Sequence, residues 1–168
     1  MTAVETIDRR LLLFARTRGH GPRRDRAISA YSRLGEHAAC WLALGAVGAA
    51  LDPGRRGRWT RGAGLVASSV VLNYAVKVVV RRARPQLSGL PPLSPVVSRL
   101  SFPSAHATTS FTAAAAYRGL LPAAALYSAA GAFALSRPYL GVHYPSDVVA
   151  GMALGTVVGI AGSRTGGC

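Results

Sequence analysis

The run Ser136-Arg137-Pro138-Tyr139-Leu140-Gly141-Val142-His143-Tyr144-Pro145-Ser146-Asp147 holds an Arg, a His and an Asp between two apolar segments. An Asp four residues after a His can accept a hydrogen bond from one ring nitrogen and leave the other as nucleophile or base. Alone, that spacing also fits a structural pair, so its meaning depends on what lies upstream. Lys77, Arg81 and Arg84 fall at i, i+4 and i+7 and share a face if helix continues that far, although Pro85 biases Arg84 toward a helix end. Lys77 is the only Lys among twenty basic residues and sits inside an apolar run, where snorkelling does not readily explain it. Pro103-Ser104 reads as a helix start with Ser104 as N-cap and His106 in the first turn, an end that suits an anion. Lys77, Arg84 and Arg137 supply cations without an acidic cluster, a set ill-suited to a metal but suited to a tetrahedral oxyanion. The expectation is a phosphate site.

The elements that must bring these residues together are apolar. Half of the 168 residues are hydrophobic, yet the formal charge is +14 with only six carboxylates, and the two characters are segregated into blocks. Such blocks indicate membrane spans with basic flanks rather than a nucleic-acid binder. Apolar segments lie near 37–51, 62–80, 104–117, 119–136 and 147–163, rich in Gly, Ala and Ser as close packing in lipid favours. Several are shorter than the ~20 residues of an upright span. The fold class expected is all-α, a five-helix membrane bundle (36–163) preceded by a basic amphipathic region (1–35) and followed by a short tail (164–168). Ile7, Leu11 and Phe14 share one face of a short helix that fits an anionic membrane surface, with a solvated basic tail as the other reading. The run Leu11 to Phe14 is too short for a cleavable signal. The proline-rich stretch 81–103 cannot be helical throughout. Hairpin connectivity places residue 36, the 81–103 loop and the 137–146 loop at one end. Asn73 is expected to hydrogen-bond a neighbouring helix, Trp41 and Trp59 to anchor at the interface, and Glu36 and His37 to sit at the mouth of the first span. His20 and Arg33 carry no assigned role, Cys40 and Cys168 suggest neither disulfide nor metal site, and Cys168 reads as a free thiol.

Lys77, six residues, then Arg84-Pro85; Pro103-Ser104-Ala105-His106; and Ser136-Arg137, five residues, His143, three residues, Asp147 resemble the three signature motifs of the type-2 phosphatidic acid phosphatase superfamily. That superfamily includes lipid phosphate phosphatases, bacterial acid phosphatases and vanadium haloperoxidases. Every spacing is intact across roughly 36–163, and Ala105 replaces a more usual Gly. The resemblance implies a hydrolase that needs no metal or other cofactor. In it Lys77, Arg84, Ser104 and Arg137 bind the phosphoryl oxygens and His143 attacks phosphorus. Asp147 orients His143, and His106 protonates the leaving oxygen.

A site at the mouth of a membrane bundle suits a lipid phosphate. Short length, basic start and Arg/Ala/Gly-rich composition look similar to small members from high-GC bacteria with arabinan-containing envelopes. Removal of the 5-phosphate from decaprenylphosphoryl-5-phosphoribose is among that family's reactions. Polyprenyl diphosphate and phosphatidic acid or phosphatidylglycerophosphate are the alternatives, and a haloperoxidase or a non-catalytic scaffold the distant ones. Arg9, Arg10, Arg16, Arg18, Arg23, Arg24, Arg26, Arg33, Arg81, Arg82 and Arg99 belong to the motif face, against Arg55, Arg56, Arg58, Arg61, Arg118 and Arg164 on the other. This asymmetry predicts a cytoplasmic site in the cell membrane.

Overall fold

The computed structural model describes residues 3–96 and 98–164. Of the expected tail, 165–168 with Cys168 lie outside the described residues, and Arg164 is the last residue of a helix. Among the described residues every regular element is helical: α1 (Ala3–Thr17), α2 (Pro22–Leu34), α3 (Ala39–Leu51), α4 (Arg56–Val80), α5 (Ala105–Tyr117), α6 (Ala123–Tyr139) and α7 (Pro145–Arg164). Helices α3 to α7 fall on the five apolar segments. By length and composition two helical stretches can cross a membrane, Pro53–Val80 and Pro145–Ser163. A third does so if α2 and the Glu36–Leu51 helix, bent by 48°, count as one span. Helices α5 and α6, of 13 and 17 residues, are shorter.

Small polar residues are buried around α5, while many large apolar residues face outward. Helix α5 is buried on nearly all sides, with Thr108, Thr109, Ser110 and Thr112 inside, while Val79 (82 % exposed), Leu135 and Val157 face outward. This inversion suits a lipid solvent, in which close backbone approach and interhelical hydrogen bonds hold helices together. Gly151, Gly155 and Gly159 repeat every four residues along one stripe of α7 against α5. A Cβ at Gly155 would run into the Thr108 carbonyl, and one at Gly159 into Ala115 and the Thr112 carbonyl. Thr112 Oγ1 donates to the Gly155 carbonyl at 3.1 Å. The same contact continues to the helix starts, where the Ser104 N–H donates to the Asp147 carbonyl at 2.9 Å.

At the far end, Tyr117 donates to the Trp41 carbonyl (3.0 Å) and lies 5.4 Å from the Trp59 ring. The expectation that Trp41 and Trp59 anchor at the interface is corrected here, since both are 4 % exposed. Glycines at 45, 48 and 62 leave room for Tyr117 and Trp59, and the indole N–H groups of Trp41 and Trp59 donate to Ser110 Oγ (2.9 Å) and Asp52 Oδ2 (3.1 Å) respectively. Asn73 bridges to α5 as expected, donating to Thr108 Oγ1 at 2.9 Å.

Residues 1–35 form two helices. Val4, Ile7, Leu11 and Phe14 make an exposed apolar stripe on α1, but Asp8, Leu12 and Arg16 on the opposite face are buried. Arg16 reaches the Pro91 carbonyl (2.7 Å), and Asp8 reaches the start of α7. Helix α1 is therefore docked on the bundle, with its apolar face turned away from it.

Replacing Gly155 by Val should overpack the α5–α7 contact and lower stability by about 1–3 kcal/mol. Gly64→Ala, with nothing within 4 Å of the added methyl, should leave the unfolding temperature unchanged or slightly raised. Thermal unfolding of both in the same detergent checks this.

Candidate active site

Helix α4 ends because Arg81 adopts left-handed geometry (φ 54°), its N–H closing on the Lys77 carbonyl at 2.9 Å. That turns the chain away, so Arg81 leaves the Lys77 face, and its exposed side chain reaches back to the Val78 carbonyl. The helix thus ends before Arg84, as Pro85 suggested, and the condition for Lys77, Arg81 and Arg84 to share one helical face is not met. The 81–103 segment instead folds back on itself through an Ala83–Leu100 bridge, with Ser101 N–H to Arg82 O (2.8 Å) and Arg84 N–H to Arg99 O (3.2 Å). This closure brings Arg84 beside Lys77 and delivers Pro103 to the start of α5.

A cavity of about 300 Å³ lies where these segments meet the 141–144 turn. Lys77, Arg84, His106, Arg137 and His143 line it, together with Asn73 and with Glu36 and His37 from the turn before α3. Ser104 and Asp147, both fully buried, stand behind its wall. All seven residues expected in the site are thus gathered at one end of the bundle, from four separate stretches of chain.

Each cation is held by neutral acceptors. Lys77 Nζ donates to the carbonyls of Pro103 (2.8 Å), Ser101 (3.2 Å) and Leu100 (3.4 Å). Arg84 donates to the carbonyls of Ser98 and Val142, each at 2.6 Å, and its Nη1 lies 3.1 Å from His143 Nε2. Arg137 Nη1 donates to Ser32 Oγ at 2.6 Å, while its Nε is buried without a hydrogen-bond partner among the described residues. Ser104 Oγ is likewise unpartnered. Ser104 is the N-cap residue of α5 as expected, its backbone extended, but its side chain makes no capping bond. Two buried donors with nothing to donate to are what an oxyanion would satisfy.

The histidines are oriented from different sides. His106 Nε2 lies 2.9 Å from the Ser32 carbonyl, an acceptor only, so Nε2 carries the proton and Nδ1 the lone pair. His143 Nδ1 lies 3.5 Å from Asp147 Oδ2 and makes no hydrogen bond, so the expected His–Asp bond is corrected to an adjacent, unbonded pair. The reason is that Asp147 is pinned elsewhere: Oδ2 accepts from Tyr144 N–H (2.8 Å) and Oδ1 from Arg82 Nη1 (2.8 Å). Burial, then the positive charges of Arg84, Arg137 and Lys77, hold the His143 imidazole well below the ordinary histidine range. It is neutral at physiological pH, with Nε2 turned toward Arg84. A neutral imidazole facing a cationic cavity can attack an electrophile that arrives as an anion.

Two contributors were missed. Ser32 on α2 is fully buried, its carbonyl on His106 and its hydroxyl receiving both Arg137 and Ser136 (3.2 Å). No periodicity marks a Ser in a basic amphipathic segment. Arg82 sits inside the first motif's variable spacer and looks like one more flanking arginine. His20, left without a role, stacks on Tyr139 and lies 3.0 Å from Asp25, away from the cavity.

Residues 60–166 match the PAP2 superfamily model. The chain is 44 % identical over 138 residues to decaprenylphosphoryl-5-phosphoribose phosphatase of Mycobacterium tuberculosis, covering 81 % of this chain and 77 % of that one. Its fold is similar to that of a transmembrane PAP2-type phosphatidylglycerolphosphate phosphatase from Bacillus subtilis (TM-score 0.78, 21 % identity, 98 % of this chain and 87 % of that one). It is also similar to LpxE from Aquifex aeolicus (TM-score 0.79, 24 % identity, 98 % and 99 %). Helical order, motif geometry and similarity along most of the chain agree: this is an integral membrane protein belonging to the PAP2 superfamily.

Proposed function

We propose that the chain removes the 5-phosphate of decaprenylphosphoryl-5-phosphoribose through a phosphohistidine intermediate, from the cytoplasmic side of the cell membrane. As a PAP2 protein with named phosphatases among its relatives it is a lipid phosphate phosphatase. The observation that carries the chemical reading is the set of three cations lining one cavity, Lys77 and Arg137 buried and Arg84 half-buried, none in an ion pair among the described residues, around a neutral imidazole. The substrate choice is supported by the 44 % identical mycobacterial relative. A lipid substrate is further supported by the cavity's rim: Val70 and Tyr74 line it, and Tyr74 belongs to the exposed apolar surface of α4. A tail can stay in the bilayer while the phosphate enters.

In the first step His143 Nε2 attacks phosphorus and the phosphorus–ester oxygen bond breaks, the leaving oxygen taking a proton from Nδ1 of protonated His106. Lys77, Arg84 and Arg137, with Ser104 Oγ, stabilise the equatorial oxygens as charge spreads. Asp147 faces the positive charge that develops on the His143 ring. In the second step His106 Nδ1, now neutral, takes a proton from water as that water attacks phosphorus and the phosphorus–nitrogen bond breaks. Throughout, His106 keeps its Nε2 proton on Ser32.

Sidedness rests on the arginine asymmetry. Arg16 and Arg82 are consumed in internal contacts, and with both set aside the motif face still carries the excess. In a cysteine-free background, Ser88→Cys should react with an impermeant maleimide only after the membrane is opened; labelling in intact cells would reverse the orientation.

His143→Ala and His106→Ala should each lose about a thousandfold or more of phosphate release while remaining folded, given what single members of such sets cost. Phosphate release across decaprenylphosphoryl-5-phosphoribose, a polyprenyl diphosphate, phosphatidic acid and phosphatidylglycerophosphate, with chelator present, should favour the first. Normal turnover by purified His143→Ala ends the phosphohistidine reading. The pH dependence follows from the depressed His143 basicity. The neutral form is the nucleophile, so the acid limb of kcat/KM belonging to His143 should lie below ~6.5. Removing one positive neighbour by Arg84→Gln favours the imidazolium and should move that limb to higher pH.

A further inference from the structure

Asp8 is one of six carboxylates in a chain of charge +14, and it is 2 % exposed on the inner face of α1. Both of its oxygens are engaged with the start of α7 and with Arg82. Oδ1 accepts the Ser146 N–H at 2.9 Å, and Oδ2 accepts the Ser146 hydroxyl and Arg82 Nη2, the latter at 2.7 Å. Arg82 places its other terminal nitrogen, Nη1, on Ser146 Oγ (2.7 Å) and Asp147 Oδ1 (2.8 Å), with its guanidinium 4.2 Å over the Tyr144 ring. Asp147 then stands 3.5 Å from His143 Nδ1. A hydrogen-bonded series of carboxylate, guanidinium and carboxylate therefore runs from α1 to Asp147, which stands beside the His143 imidazole at the cavity.

The series has an electrostatic consequence as well as a geometric one. A guanidinium given wholly to Asp147 would neutralise it and weaken its hold on a developing imidazolium. Shared with Asp8, the same guanidinium leaves the pair of carboxylates with net negative charge facing His143. Geometrically, a planar fork held at both ends has one orientation. That orientation sets the Asp147 carboxylate, whose second oxygen is already fixed by Tyr144 N–H. Arg82 lies in the spacer of the first motif, and Asp8 lies outside the residues matched by the family model.

We propose that Asp8 is a positioning residue for the phosphoryl transfer, acting through Arg82 to set the orientation and effective charge of Asp147 opposite His143. This rests on the reading of His143 as nucleophile. It also makes α1 part of the catalytic apparatus as well as a surface helix.

The test uses the purified full-length chain in lipid nanodiscs, with the fastest substrate of the lipid panel above. Asp8→Asn should lower kcat about tenfold with KM within about twofold, the scale expected of a side chain coupled to a neighbour. In an Asp147→Asn background the same substitution should change kcat by less than about twofold, because its route to His143 is already cut. Equal factors in the two backgrounds, or an unchanged kcat in Asp8→Asn, would overturn the proposal, since a purely structural role adds independently. If Asp8→Asn does not yield a monodisperse protein, Arg82→Lys takes its place. One ammonium cannot bridge both carboxylates in the same geometry, so the same loss and the same non-additivity are expected, and additivity overturns the proposal equally. His143→Ala separates the two readings. An active His143→Ala removes the nucleophile assignment, whereas an inactive one with additive Asp8 effects removes only the role of Asp8.

Discussion

The site depends on three cations kept close and largely withdrawn from solvent, Lys77 and Arg137 buried and Arg84 half-buried, without a bonded carboxylate among them. Desolvating like charges together is costly, and ion pairs are the usual compensation. Here the compensation is neutral: loop carbonyls for Lys77 and Arg84, a serine hydroxyl for Arg137. Neutral acceptors orient a cation without cancelling its charge, so the cavity retains its field for an incoming anion. Arg82, a few residues away, is the contrast. It is paired with two carboxylates, lies outside the cavity wall, and acts on the geometry of Asp147 instead of on a ligand.

The proline-rich 81–103 segment is the main source of those carbonyls, which explains why so irregular a stretch sits beside the chemistry. A helix would use its carbonyls internally, whereas an extended, folded-back loop presents them to Lys77 and Arg84. The scaffold beneath is correspondingly rigid. The glycine stripe of α7 lets its backbone contact α5, and that contact ends in the Ser104 to Asp147 hydrogen bond. The start of one helix is thus tied to the start of the other, and with them the residues behind both histidines.

The N-terminal helices change the meaning of an amphipathic pattern. Ile7, Leu11 and Phe14 do form an outward apolar stripe, but the inner face is polar, and its Asp8 and Arg16 are buried in contacts with the 137–146 region and the proline-rich loop. Similarly, Ser32 of α2 serves His106 and Arg137 together. In a bundle whose outside is apolar, polar faces point inward, so the face that reads as solvent-exposed in a soluble helix becomes the one that builds the site.

Much of the architecture was legible from residue order. Apolar segments located the five bundle helices, because burial in lipid demands continuous hydrophobic runs. Connectivity placed the motifs at one end, and charge types without acids implied an oxyanion site. Residue order also misassigned Trp41 and Trp59, whose amphipathic rings suit an interface, though Gly48 opens space for Trp59 inside and Ser110 accepts the Trp41 N–H. It left open whether helix continues past Lys77 to carry Arg81 on the same face, since nothing local announces that a non-glycine residue will take left-handed geometry. What residue order determined was which charged and imidazole groups meet and at which end of the bundle they do so. Only the tertiary structure decided how they are held: Ser104 without a cap bond, Asp147 pinned by Tyr144 and Arg82, Ser32 and Asp8 reaching in from the N-terminal helices. Those contacts join residues up to 138 positions apart, and long-range hydrogen bonds leave no periodic trace in the segments they connect.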